Sequence, residues 1–113
     1  MIKNVANSEH YQWGDACDGW RLLERLDLSV IQERMRPGTS ETRHYRARAR
    51  QLFFVLEGQL QLELAGEIFL VSAGDSLEVP PGTRHRVYNA ADVDASFLVV
   101  SAPTTQGDRT NIE

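Results

Sequence analysis

Hydrophobic and polar residues alternate along this chain with a period of two wherever the pattern is regular, and that period belongs to strands. From Gln59 to Leu64 the alternation is strict, QLQLEL, which predicts a strand with one buried and one wet face. Ala65-Gly66-Glu67 supplies a turn and Ile68–Val71 the returning strand, so the pair reads as a hairpin. Leu52–Leu56 and Phe97–Val100 are apolar at successive positions. Such runs suit strands covered on one side by the interior and on the other by a second layer or subunit. Between Trp20 and Met35, Leu22, Leu23 and Leu26 fit a helical stripe, but the β-branched pair Val30-Ile31 and the surrounding strand pattern favour two strands broken near Asp27. Glu33 and Met35 then share one face and Gln32 and Arg34 the other, and the pattern leaves open which pair faces inward. From about residue 103 the chain is polar and predicts a surface tail or a clasp over a neighbour.

A length of 113 residues with 42% hydrophobic and 25% charged content predicts one globular domain over residues 1–113. No apolar run has the length of a membrane span, and the N-terminal stretch lacks the apolar core of a signal peptide, so a cytoplasmic location and no membrane partner are expected. The lone Cys17 allows no internal disulfide. A net charge of −4 argues against nucleic acid as partner, since phosphate binding needs a basic field. Locally the balance reverses, because Arg34, Arg36, Arg43, Arg46, Arg48 and Arg50 crowd together. Strand alternation predicts one face for Arg46, Arg48 and Arg50 and the other for Tyr45, Ala47 and Ala49. Arg48 and Arg50 read as solvated.

Chemistry concentrates in GDSLEVPPGTRHRVYN, residues 74–89. Gly74-Asp75 makes a tight turn, Leu77 and Val79 lie on a strand, and Pro81-Gly82 fixes φ at one turn position and permits positive φ at the next. His85 then opens a strand, with Val87 and Asn89 on its face. Gly74, Pro80, Gly82, His85 and Asn89 match the second motif of the cupin superfamily at all five positions. The partner motif lies upstream in altered form, GTSETRHYRARARQLFFVLEG, residues 38–58. Gly38, His44 and Gly58 fit it, whereas Arg46 stands at the second histidine and Gln51 at the glutamate. The chain thus resembles small single-domain bacterial cupins of unassigned activity. The resemblance implies an all-β fold, the cupin double-stranded β-helix or jelly-roll barrel, and a homodimer.

It also implies a pocket built by His44, Arg46, Gln51 and His85, with Arg46 and Gln51 as substrate contacts. His44, Gln51 and His85 are the implied ligands of a divalent transition metal, iron, manganese, nickel, copper or zinc. Arg46 in the cupin register points into the barrel mouth, where its donors suit a carboxylate or phosphate. Against a metal stand the missing glutamate charge and the Arg46 guanidinium beside a cation. Three functions remain open. One is a metal-dependent dioxygenase or isomerase-like enzyme acting on a small anion. In the second the metal is lost and His44 or His85 does acid–base work. The third is a non-catalytic carboxylate or sugar sensor with a degenerate site. Outside the pocket, His10 is expected on the surface, Trp13, Cys17 and Trp20 in packing, Asn89 closing a turn, and Gln51 bonded to one of the histidines.

Overall fold

The computed structural model describes residues 2–112. Eleven strands appear among them: β1 (Glu9–Trp13), β2 (Cys17–Glu24), β3 (Ser29–Met35), β4 (His44–Tyr45), β5 (Arg50–Glu57), β6 (Gln59–Leu64), β7 (Glu67–Ser72), β8 (Ser76–Val79), β9 (His85–Tyr88), β10 (Ala95–Ala102) and β11 (Thr110–Asn111). They form two antiparallel sheets, ordered β1-β2-β3-β10-β5-β8 and β11-β4-β9-β6-β7. The sheets bury their facing sides together as a jelly-roll barrel, the cupin fold. No helix among the described residues is long and apolar enough to cross a membrane.

Alternation decides which side chains enter the barrel. Leu60 and Leu62 of β6 are fully buried, as are Met35 of β3, Val55 of β5, Val87 of β9 and Phe97 of β10. The stretch from Trp20 to Met35 is two strands parted by a turn at Asp27, and its open question is answered: the Ile31–Glu33–Met35 face looks inward. On β5 and β10 the inner residues Phe53, Val55, Phe97 and Val99 are buried, while Leu52 and Leu56 are exposed on the outer side.

The turn residues act as their types predict. Asp75 N–H donates to the Ser72 carbonyl at 2.9 Å, and Gly82, at φ +77°, donates its N–H to the Arg46 carbonyl at 2.7 Å. Asn89 ties three backbones: Nδ2 donates to the Met35 and Val93 carbonyls, and Oδ1 accepts from Ala91 N–H.

The expected arginine alternation fails. β4 stops at Tyr45, and residues 46–49 curl around the carboxylate of Asp108, which accepts from the N–H groups of Ala47, Arg48 and Ala49 at 2.9–3.0 Å. Three backbone donors satisfied at one point outweigh strand continuation, so Arg46 faces the interior cavity while Arg48 and Arg50 are exposed. Asp108 also fixes the polar tail, which clasps its own barrel: Thr104 N–H donates to Leu26, Ile112 N–H to Arg43, and β11 pairs with β4.

Candidate functional site

β4 and β9 pair at a single position, His44 opposite His85, so the two imidazoles lie side by side with centroids 4.3 Å apart. Each ring is oriented alike. Nδ1 of His44 lies 2.9 Å from the Thr42 carbonyl, and Nδ1 of His85 lies 2.9 Å from the Thr83 carbonyl. A carbonyl can only accept, so each Nδ1 carries the hydrogen and each Nε2 keeps its lone pair. Burial, foremost, holds both imidazoles below their usual range, His44 at about 3, although the carbonyl bonds oppose it. Arg46 and Arg109 push the same way as burial. Both rings are therefore neutral near pH 7.

Glu41 completes the cluster. One potential ligand atom from each of Glu41, His44 and His85 falls within 4.8 Å of the others. The Glu41 carboxylate accepts from Val87 N–H at 3.2 Å and lies 3.8 Å from Arg109 Nη1. Burial pushes it up to about 8, Glu33 adds to the rise, and Arg109 and the Val87 bond oppose it. Two neutral imidazoles and a carboxylate are a donor set for a divalent transition ion. His85 Nε2 is buried with no hydrogen-bond partner among the described residues, an interior lone pair that an ion would satisfy. The residues present fit the metal, and the negative charge absent at position 51 would come from position 41, whose raised carboxyl would give up its proton to the ion. Glu41 lies three residues before His44 at a position the matched motif leaves unspecified, so no spacing pointed to it.

A cavity of about 220 Å³ opens beside the cluster; Glu41 lines it, whereas His85, expected in its wall, lies behind the lining residues. His44, Arg46 and Gln51 line it, with Phe53, Val87 and Phe97 among the apolar walls. Arg46 donates from Nη1 to the Thr105 carbonyl at 3.4 Å, and its buried Nε has no partner among the described residues. Gln51 does not bond a histidine as expected. Its Nε2 donates to Ser101 Oγ at 3.2 Å across the β5–β10 pair, and its Oε1 is buried without a partner among the described residues. Tyr11, Arg21 and Arg109 also line the cavity, none of them expected there from sequence, and so does Glu33, whose face the sequence left open. Trp13 lines it too, beyond the packing role expected of it. His10 is exposed as expected and bonds Asp18 at 2.7 Å.

Known proteins resemble this chain in sequence and in fold. The polyketide synthase CurC of Streptomyces cyaneus is 35% identical over 69 residues, covering 61% of this chain and 45% of that protein. The chain spans about half the length of the curated relatives it matches. A sugar phosphate isomerase of the cupin superfamily from Silicibacter pomeroyi superposes with a TM-score of 0.79 at 25% identity, over 92% of this chain and 76% of the other. The polyketide cyclase RemF from Streptomyces resistomycificus shares the fold, with a TM-score of 0.83 at 18% identity over 100% of this chain and 87% of that one. The cupin domain profile matches residues 31–101, spanning both histidines, and the chain belongs to the cupin family.

Proposed function

We propose that this cupin is a metal-dependent small-molecule enzyme acting on an anionic substrate, with Glu41, His44 and His85 holding a divalent transition ion. Gln51, expected both as a ligand and as a substrate contact, keeps only the substrate-contacting role in this reading, through its unpartnered Oε1. Arg46 and Arg109 supply the positive wall that receives the anion. When bound, the ion would act as a Lewis acid toward an oxygen of the substrate. The observation that carries this reading is the matched orientation of the two imidazoles, each turned by a carbonyl two residues earlier so that its Nε2 is free. The names of CurC, a polyketide synthase, and of the Silicibacter isomerase support an oxygen-rich small molecule as the substrate class. A homodimer joined through the outer face of β5 belongs to the same reading.

Metal content per subunit tests it, on protein purified without a metal-affinity tag. Near-stoichiometric iron, manganese, nickel, copper or zinc is expected, lost in His85→Ala and in Glu41→Ala but kept in Gln51→Ala. Protein that stays metal-free after incubation with each ion would sink the metal-dependent reading. The cavity would then be an anion site centred on Arg46.

A further inference from the structure

One row of residues crosses the large sheet on its inner side. Tyr11 of β1 is paired with Gly19 of β2, Gly19 with Glu33 of β3, and Glu33 with Phe97 of β10. Gly19 is what lets the row close. A Cβ there would stand 2.2 Å from Cζ of Tyr11 and 2.5 Å from its hydroxyl oxygen, so the phenol lies across the bare glycine backbone. By that route Tyr11 reaches two strands over and donates its O–H to Glu33 Oε2 at 2.8 Å. Both residues line the cavity that holds His44 and Arg46. The partner given to Glu33 is thus a phenol, although arginines line the same cavity.

We propose that Glu33, positioned by Tyr11 across Gly19, is the proton-transferring carboxyl of this cavity, acting on a carbonyl compound that carries a carboxylate and an acidic α-hydrogen. The inference rests on the anionic substrate proposed above. Arg46 and Arg109 receive the substrate carboxylate. Glu33 Oε1, the oxygen not engaged by Tyr11, takes the proton from the α-carbon. The C–H bond breaks, its electron pair moves into the enolate, and the charge on the carbonyl oxygen is stabilised by the cationic wall. Return of a proton from Glu33 to carbon completes an exchange or an isomerisation with no other reactant.

The electrostatics suit a base working near neutrality. Burial pushes the Glu33 carboxyl up to about 7, against the lowering effects of the Tyr11 hydrogen bond and the charges of Arg46, Arg109 and Arg21. Glu41 is the other carboxyl that senses it. Because the Tyr11 bond lowers the Glu33 value, losing the hydroxyl raises it, and the pH midpoint for base action moves to higher pH.

Pyruvate, 2-oxoglutarate and levulinate in D2O test this, with α-hydrogen exchange followed by proton NMR and binding followed by thermal shift. The full chain is expected to accelerate exchange of at least one by about a hundredfold over buffer. Glu33→Gln is expected to lose that acceleration while still melting cooperatively and binding. Tyr11→Phe is expected to keep part of it, with an alkaline shift of the pH midpoint that a merely structural tyrosine would not cause. Exchange in Glu33→Gln equal to wild type, an unshifted midpoint in Tyr11→Phe, or binding without exchange in wild type each overturns the inference. In that last case the anion site stands. If no oxo acid binds, and Arg46→Ala changes nothing, the anionic-substrate reading fails as well.

Discussion

Asp108 illustrates how one carboxylate can shape a site it never enters. Its oxygens accept from the N–H groups of Ala47, Arg48 and Ala49, and those bonds turn the chain so that Arg46 faces the cavity. Burial pushes the Asp108 carboxyl up, but the three backbone donors overcome it, with help from Arg48, and its value falls below the usual range. A depressed folded-state value means the stabilisation is fully present above the unfolded value of 3.8 and is lost as pH falls through the folded one. Asp108→Ala leaves three buried or half-buried donors without their acceptor, at an expected cost of about 2–3 kcal/mol at pH 7. Urea melts of wild type and variant at pH 7 and pH 3 check this. The gap should narrow at pH 3, and an equal gap at both would mean the charge contributes nothing. Strand register alone suggests an inward Arg46, but the turn around Asp108 is what brings it about.

At the scale of elements, the legible parts are those where local pattern and tertiary burial agree. The alternation of β6, the Pro81-Gly82 turn and the His85–Val87 face of β9, continued by Asn89 just past its end, could be read directly because each side chain's environment repeats every second residue. Segment 46–50 could not, since an acceptor about sixty residues away reshapes a stretch whose alternation looks like strand. Glu41 was hidden for a different reason: it sits outside any strand, bonded to Val87 N–H of β9, and its meaning comes only from that long-range contact. Glu33 was half-legible. Its face could be grouped with Met35, but the choice of inward side needed the sheet. The β1-β2-β3 row gives the sharpest test at this scale. Gly19→Ala puts a methyl into the Tyr11 ring, so the phenol must leave Glu33 or the strands must part. The expected outcome is a loss of about 1–3 kcal/mol in urea melts, together with a change in the tyrosine near-ultraviolet circular dichroism. Unchanged stability and an unchanged spectrum would show that the row has slack.

For the whole molecule, the two sheets differ in what they leave outside. The inner faces of β5 and β10 are buried, yet the outer face of β5 exposes Leu52 at 39% and Leu56 at 40%, with the partly buried Phe54 between them. Leu98 and Val100 of β10 stand opposite Phe54 and Leu52, so the apolar residues adjoin across the strand pair. A patch of this kind, one strand in from the β8 edge of a six-stranded sheet, is a surface that association would cover. A second copy of the chain is the expected cover, and a two-fold axis over β5 would bring the same leucines against each other. Leu52→Lys/Leu56→Lys sets like charges against like there without touching the barrel interior. Sedimentation velocity should therefore find wild type as a dimer and the double variant as a folded monomer with intact metal binding, because the histidines lie on β4 and β9 of the other sheet. A monomeric wild type would remove the dimer, and with it the reason for two-sided apolarity in β5, while leaving the cavity chemistry as it stands.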